Sequence, residues 1–170
     1  MKNTKGCVFK QYLIRGVAIT TFYDLPILAP TNEIVEKAIP FNKIRTTKDY
    51  DQWVHFFIDD HMFERLWNSP KTYLPLLKKF NGIISPDFSV SHIMLVFMQQ
   101  WHTYKNRSLG YWLQNSGVKV IPNVTFSDEK SYCYSFIGIR KYSTVAINSN
   151  GRLRNKNDRK LFKNGLKVML

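Results

Sequence analysis

Asp87 stands in GIISPDFS, residues 82–89, where an apolar run ends in Ser85, Pro86 and a carboxylate followed at once by an aromatic. A carboxylate at such a break can cap a helix. It can also bind a divalent metal, orient a water, or take and give a proton. Three other apolar runs end in polar residues: VAITTFY before Asp24, VKVIP before Asn123, and VAI before Asn148 and Ser149. Two carboxylates and two amides form a donor set only if the fold brings those four ends together. Otherwise each is an ordinary cap or turn residue.

Two further clusters carry chemistry. FIDDHMFERLW places Asp60 and Glu64 four apart on one helical face, a spacing that can share a cation or simply face solvent. TYKNRSLGYW sets Lys105, Asn106 and Arg107 between Trp101, Tyr104, Tyr111 and Trp112. That interleaving suits phosphate contact and base stacking, or else a polar helix junction among core aromatics. His55, His61, His92 and His102 lack an H-E-x-x-H pattern, and Cys7 and Cys133 lack metal-ligand spacing. No zinc site is expected, and both thiols are expected to be reduced. Neither G-x-G-x-x-G nor a Walker A motif occurs, so no nucleotide cofactor is expected.

The elements that must position these residues follow from pattern and punctuation. VAITTFY predicts a first strand, and NEIVEKA a helical turn within a proline-rich loop. From Asp49, the spacing of Trp53, Phe56, Phe57, Phe63 and Trp67 predicts a helix. A second helix begins at Ser69-Pro70, restricted by Pro75 and closed by Asn81-Gly82, with the strand GIIS after it. HIMLVFMQQWHTYKNRSLGYWLQNSG predicts two helical pieces ending at Gly117, the first with Met94, Phe97, Met98 and Trp101 on one face. VKVIPNVTF and STVAIN read as strands, SDEK as a turn or helix start, and NDRKLFKNGLKVML as a closing basic amphipathic helix. This alternation predicts one α/β domain over residues 1–170, with a mainly parallel sheet or partial barrel. Ligands of such sheets sit outside the C-terminal strand ends, so Asp24, Ser85, Asp87, Asn123 and Asn148 are expected on one rim.

Charge supplies the partner class. The net charge is +13, and residues 1–87 hold twelve Lys/Arg against nine Asp/Glu, whereas residues 88–170 hold thirteen against three. The excess peaks in the basic C-terminal part, 138–170. A field of that sign attracts polyanions. Arg140, Lys141, Arg152, Arg154, Lys156, Arg159 and Lys160, with Lys105 and Arg107, are the expected nucleic-acid contacts. No apolar stretch approaches the roughly 20 residues that span a bilayer, and the basic N-terminus lacks the features of a leader. No membrane partner is expected, and the expected location is the cytoplasm of a host bacterium.

WVHFFIDDHMFERLWNSPKTYLPLLKKFNGIISPDFS, TYKNRSLGYWLQNSGVKVIPNV and STVAIN together resemble a family of unassigned function found in phages and mobile elements of Firmicutes. The resemblance runs from about Gly16 to Leu166 and rests most on SPDFS and YKNRSLGYW. It departs where Val124-Thr125-Phe126 and Asn148-Ser149-Asn150-Gly151 replace the family's usual residues. The resemblance brings no reaction with it. A small, very basic mobile-element protein is also similar in profile to type II-A anti-CRISPR proteins, some of which resemble ribonucleases that trim guide RNA.

That second resemblance implies inhibition of a type II CRISPR effector nuclease, with guide RNA and effector as partners. In a cleavage reaction, Asp24 and Asp87, with Glu64 and Asn123 near them, would bind a divalent cation such as Mg and activate the attacking oxygen. Alternatively the RNA 2′-hydroxyl attacks in line, served by His92 and by Arg107 as the cation. Two other readings stand beside cleavage. One is an inhibitor that binds the effector or its guide RNA without chemistry. The other is a DNA-processing or regulatory accessory protein of the mobile element.

Overall fold

The computed structural model describes residues 9–170, and Cys7 lies outside them. Four short strands form one parallel sheet in chain order: β1 (Ala38–Pro40), β2 (Trp53–His55), β3 (Gly82–Ile84) and β4 (Val120–Ile121). Ala38 lies opposite Trp53, Trp53 opposite Gly82, and Ile83 opposite Val120. All three residues of β3 are buried, as a parallel strand covered on both faces requires. Past β4 a parallel bridge joins Asn123 to Ala146, with Val124 N–H donating to the Ala146 carbonyl at 2.9 Å and Ala146 N–H to that of Pro122 at 2.8 Å. STVAIN therefore continues the sheet, though by a bridge rather than a full strand. The mainly parallel α/β architecture is the one the alternation predicts.

Among the described residues, five α-helices connect and cover the strands. α1 (Asp60–Asn68) and α2 (Pro70–Leu77) lie between β2 and β3, and α3 (Val96–Asn115) lies between β3 and β4. α4 (Glu129–Ser135) precedes the Ala146 bridge, and α5 (Lys156–Met169) follows it. α2 opens on Pro70, where the missing N–H costs nothing. α3 stops at Gly117, whose φ of +83° an L side chain would resist. The Asn155 side chain caps α5 by accepting from the Asp158 N–H. Phe41, Phe56, Phe63, Leu66, Leu77, Ile83, Phe88, Leu109 and Leu113 fill the main core. Each such burial contributes about 1.5–3 kcal/mol.

Four local expectations are overturned. VAITTFY is not a sheet strand: Ile19 bridges antiparallel to Pro26 around a turn, with Asp24 exposed at φ +49°. NEIVEKA forms no helical turn: it bends at Glu36 and Lys37, and its Ala38 already opens β1. Trp53 belongs to β2 and Phe63 to α1, so the apparent helical spacing of the aromatics spans two elements. α3 is one helix of 20 residues, and Phe97 and Met98 point to solvent. Its buried residues are instead mostly polar or small, Gln99, Thr103, Lys105, Asn106, Arg107, Ser108 and Gly110, with Leu109 and Leu113 beside them.

Candidate functional site

Chain direction and pleat place Asp87 three residues beyond the end of β3, and Asn123 two beyond β4. The Asn123 N–H is held there by Ser85 Oγ at 2.8 Å. Residues two apart on an extended segment face the same way, so Thr125 joins Asn123. Asp87 Oδ1 accepts from Asn123 Nδ2 at 2.7 Å and from Thr125 Oγ1 at 2.5 Å. Its Oδ2 accepts from Asn148 Nδ2 at 2.8 Å, just past the Ala146 bridge. Three distant segments thus converge on one carboxylate that is 8% exposed.

Burial pushes the Asp87 carboxyl above its ordinary value of 3.8, against the pull of Thr125, Asn148, Asn123 and the charge of Arg152. Desolvation wins because an ion taken from water loses more than a few neutral donors restore. Arg152 hydrogen-bonds the Phe126 carbonyl, and its guanidinium lies 5.3 Å from the Phe126 ring centroid and 6.0 Å from that of Phe162. Burial lowers its pKa. A cavity of about 250 Å³ opens over this group, lined among others by Asp87, His92, Thr125, Asn148, Arg152 and Phe162. α5 forms one wall, docked so closely that a Cβ on Gly165 would stand 2.0 Å from the Phe126 ring.

SPDFS is positioned by YKNRSLGYW. Asn106 Oδ1 accepts the Phe88 N–H at 2.8 Å and its Nδ2 donates to the Phe88 carbonyl at 3.2 Å, so one side chain replaces a missing strand neighbour. Lys105 Nζ sits 3.5 Å from the Phe88 ring centroid and 3.5 Å from Glu64 Oε2. Burial lowers the Lys105 pKa, with Glu64 opposing. Asp60 accepts from the Ser89 N–H and, at 3.0 Å, from its hydroxyl, while His102 Nδ1 lies 2.6 Å from the Ser89 carbonyl and donates to it. A Cβ on Gly110 would meet Ser85 Cβ at 3.2 Å. The two motifs are one packing unit.

The structure brings Ser85, Asp87, Asn123 and Asn148 together, with His92 and Arg152 lining the same cavity, and leaves Asp24, Glu64, Lys105 and Arg107 out of that lining. Asp24 does not line the cavity, because its segment turns back before reaching the sheet. Asp24 is also not among the groups that act on the Asp87 carboxyl. Among the described residues no group of three His, Cys, Asp or Glu side chains could hold a metal ion. Glu64 faces Lys105 instead. Arg107 is 3% exposed, with Nη2 donating to the Ser135 carbonyl at 2.8 Å and burial bringing its pKa down to about 10. Lys105, too, is buried, so neither cation is presented at the surface. Arg140, Lys141, Arg154, Lys156, Arg159 and Lys160 are exposed, and Arg152 is partly buried. Sequence reasoning missed Thr125, which the two-residue alternation in VIPNVTF could have found. It counted Arg152 as a backbone contact, not as the cation beside Asp87.

With this geometry in hand, the comparisons with known proteins place the chain in a class. Residues 17–170 match the model of the family described as Domain of unknown function (DUF4417), and the chain belongs to that family. It is 34% identical over 152 residues to the "Gene 1 protein" of Mycobacterium phage L5 and 32% identical over 152 residues to the "Gene 1 protein" of Mycobacterium phage D29. The match covers 87% of this chain in both cases, but 66% and 56% of those two proteins. No solved structure matches. The expected kinship with a phage family of unassigned function holds. Among the described residues no helix is long and apolar enough to cross a membrane.

Proposed function

We propose that this chain is a phage accessory protein that holds a nucleic-acid strand against its basic C-terminal part and seats one nucleotide in the Asp87 cavity. The observation that carries this reading is the double role of α5. Its Asp158, Leu161 and Phe162 line the cavity, while its Lys156, Arg159 and Lys160 stand exposed beside it. Phosphates tracked along those cations would deliver a nucleotide to the polar group at the rim.

In its narrower form the strand is the guide RNA of a type II CRISPR effector, and the reaction is cleavage. The 2′-oxygen of the seated nucleotide attacks phosphorus, its proton passes to a general base, and the bond to the 5′-oxygen breaks as that oxygen takes a proton. His92, which lines the cavity, would carry the proton transfers, and Arg152, rather than Arg107, would be the cation near the phosphorane. A divalent cation such as Mg remains the alternative chemistry. Binding without cleavage is the second reading, favoured by the three side-chain donors that already tie Asp87 into the fold.

The test incubates the protein with guide RNA alone and with the effector–guide complex, then runs native and denaturing gels with and without EDTA. Cleavage that persists in EDTA and leaves cyclic phosphate ends supports 2′-hydroxyl attack. Cleavage that EDTA stops supports a metal. Shifted but uncut RNA leaves binding alone, and no shift at low salt removes the whole reading.

A further inference from the structure

We infer that the group received over Asp87 is an unpaired nucleobase and not a phosphate. This rests on the nucleic-acid reading above, but not on cleavage.

The cavity floor is built to accept. A carboxylate offers about four lone-pair positions. Three in Asp87 are occupied, two on Oδ1 by Asn123 and Thr125 and one on Oδ2 by Asn148. One position on Oδ2 is left for a donor. Phosphate oxygens are acceptors and carry the same sign of charge, so they gain nothing from the Asp87 carboxylate, and Arg152, the guanidinium in the lining, is already drawn to the Phe126 carbonyl and to the charge of Asp87. Asp158, which also lines the cavity, adds to that repulsion. A base edge instead sets an N–H beside an acceptor. The N–H meets Oδ2, and the acceptor meets the second hydrogen of Asn148 Nδ2, whose first is committed to Asp87.

Wall and size agree with the floor. Phe162 lines the cavity and stacks on Phe126 at 5.8 Å between ring centroids, with 12° between planes. An aromatic wall backed by a guanidinium suits a flat π-system. The 250 Å³ volume falls below the roughly 300–1,000 Å³ of sites that enclose drug-sized ligands, which leaves room for a single ring system. A base paired in a duplex cannot enter such a recess, so the strand must be unpaired at that nucleotide. Its phosphates then lie outside, against Lys156, Arg159 and Lys160.

The experiment measures fluorescence anisotropy with labelled single-stranded oligomers of one length, either intact or abasic throughout, so that the phosphates are constant. A duplex of the same length serves as the third ligand. The intact strand should bind about tenfold or more tighter than the abasic strand, because each stacked base contributes on the order of 1–3 kcal/mol. The duplex should behave like the abasic strand. Asp87→Asn and Phe162→Leu should abolish the difference between the intact and the abasic strand, so that each variant binds the two alike. Phe162→Leu keeps an apolar contact with Phe126, so it guards against an Asp87 variant that fails to fold. Equal, salt-sensitive binding of intact and abasic strands overturns the base pocket and leaves the nucleic-acid reading standing. No binding of any strand at low salt overturns both.

Discussion

Lys105 and Arg107 in α3 carry the same charge as Lys156, Arg159 and Lys160 in α5, and the fold uses them in opposite ways. The first pair is buried: one ammonium lies over the Phe88 ring and one guanidinium reaches the carbonyl that ends α4. The second group is exposed on a helix that walls the cavity. A cation without water must be satisfied locally and so fixes backbone. A cation in water leaves backbone free and sets a long-range field. The cations of α3 therefore serve as buried scaffold, and those of α5 as an exposed positive surface.

The comparison breaks most visibly at the scaffold. Asn106→Leu strands the buried N–H and carbonyl of Phe88, at about 1–3 kcal/mol each. Chemical denaturation should show a loss of about 2–5 kcal/mol, and an unchanged midpoint would separate the two motifs. Gly165→Ala follows. Alanine favours an isolated helix by about 1 kcal/mol, but its Cβ would enter the Phe126 ring, and overpacking costs about 1–3 kcal/mol. The clash should win, and hydrogen exchange should quicken across α5. On the approach surface, Lys156→Glu, Arg159→Glu and Lys160→Glu should each change stability by about 0.5 kcal/mol or less. Together they should flatten the salt dependence of single-strand binding by about 0.7 for each phosphate that is no longer neutralised. Arg107→Met should leave that slope untouched.

The smallest effect is a pH dependence at Asp87. Its folded-state pKa is raised, so the native protein holds that proton more tightly than the unfolded chain does. The stability this contributes is complete below 3.8 and is lost as pH rises through the raised value. Asp87→Asn has no such proton. Melting temperatures of the two proteins should therefore diverge in the variant's favour as pH rises from 3.8 towards neutrality, and parallel curves would contradict the burial of the charge.

What could be read from the sequence depended on how local each cause was. Ser69-Pro70, Gly117 and the amphipathic run of α5 act within one turn of chain, and the structure has them where the pattern put them. The convergence of Asp87, Asn123 and Asn148 was also legible, because parallel order alone sends strand ends to one rim. Strands of two or three residues were not: Trp53–His55 is too short to establish a period, so its aromatics fused with those of α1. Asp24 failed for a related reason, since VAITTFY has strand composition but no neighbour in the sheet. The inward polar side of α3 was hidden because Asn106 and the Nη2 of Arg107 bond to backbone far away in sequence, while Arg107 Nη1 is buried without a hydrogen-bond partner.

The sheet grows strictly in chain order, each strand beside the one before it, and the Asn123–Ala146 bridge comes last. During synthesis, N-terminal units fold before later ones emerge. SPDFS and α3 can lock together while Asn148, Arg152 and α5 are still inside the ribosome. A nascent chain therefore fixes the SPDFS backbone through Asn106 before Asn148, Arg152 and α5 can complete the cavity around Asp87.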